Sequence, residues 1–160
     1  MALYSENLKS LDDLKDGATI AVPNDGSNES RALALLAKNN LIELNDDALY
    51  TASSITANPH NYKIEELEAA NLPNNLPDVD VAVINGNYAL EANYTVKKDA
   101  LAYEKSDSEA AKTYVNVIAV KEGNENSEKI KALVDVLKSD SIKKFINEKY
   151  DGAVIVYDGE

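Results

Sequence analysis

VDVAVI, residues 79–84, is the stretch that most narrows what this chain can fold into. It is nearly continuous apolar sequence rich in β-branched side chains, with no polar alternation. A strand with one wet face alternates; a run without alternation marks a strand covered on both faces, as in a parallel sheet flanked by helices. ATIAV (18–22), closed by Pro23, and YVNVIAV (114–120) have the same character, and YKIEEL (62–67) alternates as a further strand. AVIVY (153–157), entered through Gly152, reads as a last strand.

Helical spacing separates these runs. Ala32, Leu35 and Leu36 fall at i, i+3, i+4 in a segment that starts at Ser27 and ends at Asn39-Asn40. Ile130, Leu133, Val134 and Leu137 form an amphipathic stripe, and Ile142, Phe145 and Ile146 form another. Shorter signals are SLDDLKDG (10–17), where Ser10 and Asp13 have capping-box spacing and Gly17 stops the turn, and SDSEAAK (106–112), where Ser106 and Glu109 repeat it. NGNYALEAN (85–93) reads as a turn and short helix, and LPNNLP (72–77) as a loop. Strands alternating with helices predict an α/β protein with a mainly parallel sheet, in a chain whose 160 residues suit a single unit.

Composition removes several function classes. With 28 acidic against 16 basic residues the formal net charge is −12, and no basic stripe interrupts it, so nucleic acid and anionic lipid are repelled. The absence of cysteine excludes disulfides, thiolate metal sites and a cysteine nucleophile. His60, the one histidine, sits beside Pro59 in a polar loop and reads as solvated. NDGSNE and NDD share the composition of calcium loops without their spacing, and no P-loop, GxGxxG or GxSxG occurs. Asn28-Glu29-Ser30 and Asn93-Tyr94-Thr95 match the short glycosylation sequon. No apolar run approaches the roughly 18 residues a membrane span needs, and no basic-then-apolar leader is visible. The expected class is binding, not catalysis, with no cofactor and no metal.

Ligands of open α/β sheets sit beyond the carboxyl ends of the strands. Three polar groups stand immediately after or within such strands. PNDGSNESR (23–31) follows a strand and opens a helix, where Ser27 or Asn28 can cap and free backbone N–H groups favour an anion. Arg31 lies one turn in; it is either a fork for a carboxylate or a solvated arginine, and Glu29 already complements the helix dipole. Asn85, at the tip of VDVAVI, can accept from an ammonium and donate to a carboxylate, or simply form the turn before Gly86. Asn116, inside YVNVIAV, either faces a cleft or pairs with backbone.

The runs YSENLKSLDDLKDGATIAVPNDGSNESRALALLAKNNLIEL, NPHNYKIEELEAANLP, VDVAVINGNYAL and YVNVIAV resemble the methionine-binding lipoprotein, or NlpA, family over nearly the whole chain. The turn GSNESR and the ending YDGAVIVYDGE depart from the commoner forms. The resemblance implies a lobe like those of periplasmic binding proteins, which close on L-methionine or a related amino acid and deliver it to the permease of an ABC importer. It implies that Arg31 holds the ligand carboxylate, that Asn85 and Asn116 hold its amino and carboxylate groups, and that Asn28 lies at the rim or cap. Relatives are lipid-anchored outside the cytoplasmic membrane. Residues 8–112 are then expected to form the second lobe and 113–160 a C-terminal segment. The signal, the lipid anchor and most of the first lobe, with the groups that embrace the thioether, are expected to lie outside these residues. Another amino acid or a small peptide as ligand, or self-association through the exposed inter-lobe surface, are the alternatives.

Overall fold

A computed structural model describes residues 1–105, 108, 112–150 and 152–156. The chain divides into two compact units, Met1–Lys105 and Ser106–Glu160.

The strands of the first unit are β1 (Ala2–Tyr4), β2 (Thr19–Pro23), β3 (Glu43–Leu44), β4 (Ile55–Ala57), β5 (Lys63–Leu67), β6 (Val81–Ile84) and β7 (Ala100–Tyr103). Five of them form one sheet in the order β5-β2-β6-β1-β7, and β3 pairs with β4 apart from it. β2 runs parallel to both β5 and β6, while β1 is antiparallel to both β6 and β7. Four of the five strands therefore point the same way, with β1 reversed among them. This is the mainly parallel, helix-flanked sheet that the unbroken apolar runs predict.

Successive strand residues face opposite sides of a sheet, and here both sides are core. Leu3, Ile20, Val22, Val81 and Val83 pack with Leu33 and Leu36 on one side. Ala2, Tyr4, Ala21, Ala82 and Ile84 pack with Leu72, Leu76 and Ala89 on the other. All four residues of β6 are buried, so every second side chain being apolar was not enough; each one had to be. The first side is covered by α1 (Gly26–Lys38), which buries Ala32, Leu33, Leu35 and Leu36. Burying a leucine of this kind contributes about 1.5–3 kcal/mol. The helix stops where Asn40 takes a left-handed conformation at φ 58°. The second side is covered by α2 (Leu72–Asn75) and α3 (Gly86–Glu91), and α4 (Val96–Asp99) leads into β7.

The second unit contains α5 (Glu128–Leu137) and α6 (Asp140–Tyr150), which match the two amphipathic stripes. Ser139 joins them, its hydroxyl donating to the Val136 carbonyl at 2.6 Å. Neither helix has a buried residue; Leu133, Val136, Leu137 and Phe145 are all exposed.

Several expectations are corrected. The run 114–120 forms no strand; residues 115–120 are irregular, with Val117 80% exposed. β-Branched residues favour a pleated surface only when a neighbouring strand supplies the ladder, and no strand occurs among the described residues of this unit. Residues 153–156 are likewise not a strand, and Tyr157 lies outside the described residues. LPNNLP is not a loop but α2 followed by a 3-10 turn, Leu76–Asp78. Ser10 caps only a 3-10 turn, Leu11–Asp13, accepting from the Asp12 N–H. The proposed caps Ser106 and Glu109 lie outside the described residues. β1 and β7 were not foreseen.

Candidate functional site

The parallel strands bring Pro23, Leu67, Ile84 and Tyr103 to one edge of the sheet, where Ala2 of the reversed β1 pairs with both Ile84 and Tyr103. The residues that follow these ends carry the chemistry: Asp25 after β2, Asn85 after β6 and Glu104 after β7.

Asp25, not Ser27 or Asn28, is the N-cap of α1. Its extended backbone, φ −91° and ψ 139°, turns the carboxylate onto the Asn28 N–H at 3.2 Å. The Asn28 side-chain amide donates to both Asp25 oxygens at 3.0 Å, and the Ser27 hydroxyl donates at 3.3 Å. The Asn28 side-chain donation, joined by the backbone and Ser27 bonds, holds the Asp25 carboxyl below its ordinary range. Asn28 then accepts, through Oδ1, from Asn85 Nδ2 at 2.8 Å. Asn28 is therefore a bridge between a helix cap and a strand tip. Asn85 Oδ1 is buried and has no hydrogen-bond partner among the described residues.

Arg31, the chain's one arginine, follows Asn28 by one turn and so lies along the same face of α1. It is not idle in solvent. Its Nε donates to Glu104 Oε1 at 2.7 Å and its Nη2 to Oε2 at 2.5 Å, a two-pronged pair. The Glu104 side chain is 7% exposed and that of Arg31 21%. The Met1 amino group also donates to Glu104, at 2.9 Å. Burial pushes the Glu104 carboxyl up, but the Arg31 hydrogen bond and the neighbouring amino group outweigh it and hold it below its ordinary value. The guanidinium thus grips a carboxylate as its residue type suggests, and the carboxylate is the protein's own.

The neighbours of Arg31 fasten the next loop. Glu29 is buried and accepts from the Ala52 N–H at 3.0 Å, with burial raising its carboxyl pKa. Ser30 accepts from the Tyr50 N–H at 2.9 Å. His60 is half-exposed, paired with Asp16 at 2.7 Å and stacked on Tyr62, a surface arrangement. Asn116 is exposed on the irregular stretch of the second unit, instead of sitting in a buried strand. Asp25 and Glu104 were missed in the sequence; no local pattern distinguishes either from the other acidic residues. Among the described residues no group of three or more His, Cys, Asp or Glu could hold a metal, and no helix is long and apolar enough to cross a membrane.

Comparison with known proteins adds the family. Residues 1–157 match NlpA lipoprotein. The chain belongs to the NlpA lipoprotein family. A solved lipoprotein from Ruminococcus gnavus is 58% identical, with a TM-score of 0.91 over 98% of this chain and 65% of its own. A nutrient-binding protein from Burkholderia cenocepacia, solved bound to methionine, is 44% identical, with a TM-score of 0.88 over 95% of this chain and 64% of its own. The D-methionine-binding lipoprotein MetQ of Salmonella typhi is 42% identical over 159 residues, covering 97% of this chain and 57% of the relative. The chain thus spans less than two thirds of the length of these NlpA relatives. The mainly parallel, helix-flanked sheet described above is the fold it shares with these solved relatives.

Proposed function

We propose that this chain is part of an extracytoplasmic solute-binding protein that holds methionine, or a close amino acid, for an ABC importer, and that it performs no catalysis. The observation that carries the reading is Asn85 Oδ1, a buried acceptor without a partner among the described residues, at the carboxyl edge of the sheet. A ligand ammonium would satisfy it with a charge-assisted bond. Arg31, on the same face of α1 as Asn28, is assigned the ligand carboxylate, with Glu104 aligning its fork. Family resemblance supports these roles, and it alone assigns a ligand contact to Asn116. On this reading residues 8–112 belong to one lobe and 113–160 to the C-terminal segment of a two-lobed, membrane-anchored lipoprotein.

Calorimetric titration of the chain with L-methionine, D-methionine, other amino acids and short methionine peptides tests it. Methionine is expected to bind in preference to the others, and more weakly than to a complete relative, whose extra length can close over the ligand. No preference for methionine would sink the ligand assignment. A second reading, self-association, is favoured by Leu133, Val136, Leu137 and Phe145, each more than 40% exposed. Light scattering that finds only monomer at high concentration would remove it.

A further inference from the structure

We propose that Asp25 and Asn28 are positioning residues that lock the Asn85 amide with its oxygen toward the ligand, so that this position selects a hydrogen-bond donor. The inference rests on the amino-acid-binding reading and names what enforces its choice of an ammonium.

The two ends of a side-chain amide have nearly the same shape, so something must decide which faces inward. Here the decision starts at Asp25. An ionised carboxylate has no hydrogen to give, so Asn28 can meet it only with its NH2, and does so on both oxygens at 3.0 Å. The Asp25 carboxyl is held below its ordinary range, which keeps it an acceptor at neutral pH. Asn28 is then obliged to show its oxygen to Asn85, and Asn85 must answer with its own NH2, at 2.8 Å. What remains is Asn85 Oδ1, buried and without a partner among the described residues. Turning Asn85 over would set two carbonyl oxygens against each other and lose the bond between them. One carboxylate in the α1 cap therefore sets the polarity of two amides in series. The cap position itself is secured independently, by the Asp25 bond to the Asn28 backbone.

Polarity of this kind discriminates between ligands that share a carboxylate and side chain but differ at the amino group. A site whose buried acceptor goes unsatisfied disfavours the ligand lacking the donor. Two probes suffice: L-methionine and its des-amino analogue, titrated by calorimetry into the wild type, Asp25→Ser and Asn28→Leu. Serine keeps a capping oxygen for the helix but lacks the second oxygen that grips Asn28, and circular dichroism verifies that each variant is folded. L-Methionine binding is expected to weaken about 10-fold in both variants, the value of one charge-assisted hydrogen bond. Binding of the des-amino analogue should change less than about 2-fold. Equal weakening of both probes, or of neither, overturns the proposal.

The amide itself gives a readout that needs no ligand. In heteronuclear NMR of the full chain, the Asn85 side-chain NH2 should carry the shift and slow hydrogen exchange of a bonded group, and lose both in Asn28→Leu. Unchanged Asn85 amide signals in that variant would overturn the positioning role. If the wild type bound neither probe but this NMR change were seen, the functional reading would fail and the positioning would stand.

Discussion

Replacing Glu104 with glutamine tests how much of the first unit depends on the ion pair behind Arg31. Glu104 accepts from Arg31 Nε at 2.7 Å and Nη2 at 2.5 Å. Glutamine keeps one acceptor but puts an NH2 against a guanidinium N–H, so one bond loses the acceptor's charge and the other becomes a donor-donor contact. Each charge-assisted bond is worth about 1.5–3 kcal/mol net, and breaking a fully buried pair costs about 3–5 kcal/mol. Arg31 is 21% exposed, so water recovers part of its solvation. The expected loss is about 2–3 kcal/mol, or a melting temperature lower by roughly 10 °C for a unit of this size. Urea unfolding followed by circular dichroism and tyrosine fluorescence measures it.

The pH dependence supplies a second, independent arm. Because the folded chain holds the Glu104 carboxyl below its ordinary value of 4.5, the folded state binds that proton less tightly than the unfolded state. Its contribution is therefore complete above that value and lost as pH falls through the lowered one. The wild type should exceed the variant by a constant margin near neutrality, and the margin should shrink below about pH 4. A margin under about 0.5 kcal/mol near neutrality, within the range of ordinary surface substitutions, would refute the reasoning. So would a margin that grows on acidification.

Three further outcomes are expected. Tyr4 is 1% exposed, its hydroxyl has no hydrogen-bond partner among the described residues, and burial followed by the Asp99 charge pushes its pKa up to about 12. Tyr4→Phe should therefore leave urea stability unchanged or raise it by up to about 1 kcal/mol; a clear loss would mean the hydroxyl is paired. Leu36 is fully buried between α1 and the sheet, so Leu36→Ala should cost about 2–5 kcal/mol in the same assay. Arg31→Lys replaces a planar fork with a point charge, and calorimetry should show methionine binding weakened about 10-fold or more; equal affinity would remove Arg31 from the ligand site.

Much of the sheet was legible because burial on both faces writes itself into single strands. β6 needed apolar residues at every position and β2 at every position after Thr19, while the helices needed only one stripe. β1 was hidden: three residues, Ala2–Tyr4, give no period to read, and they qualify as a strand only because β6 and β7 flank them. The opposite error at 114–120 has the same root, since strand propensity without a ladder leaves Val117 in solvent. In the site, Arg31 and Asn85 stood out by chemistry and position. Asp25 did not, because Asp25, Ser27 and Asn28 are all acceptable caps and only backbone geometry chooses among them. Glu104 acts on a residue 73 positions away, a relation no local pattern carries.

The reversed strand β1 has a consequence for how the chain assembles. It enters the sheet between partners roughly 80 and 100 residues further along the sequence. The parallel trio β5-β2-β6 can form from segments closer together, but until β1 arrives one side of β6 is an open ladder of all-apolar sequence. β7 can join only after β1, since it has no other neighbour in the sheet. Closure of that half should therefore come late and limit the folding rate. The bond from Arg31 to Glu104, which needs β7 in place, is then among the last native contacts made in the first unit, so the buried ion pair reports that this sheet is complete.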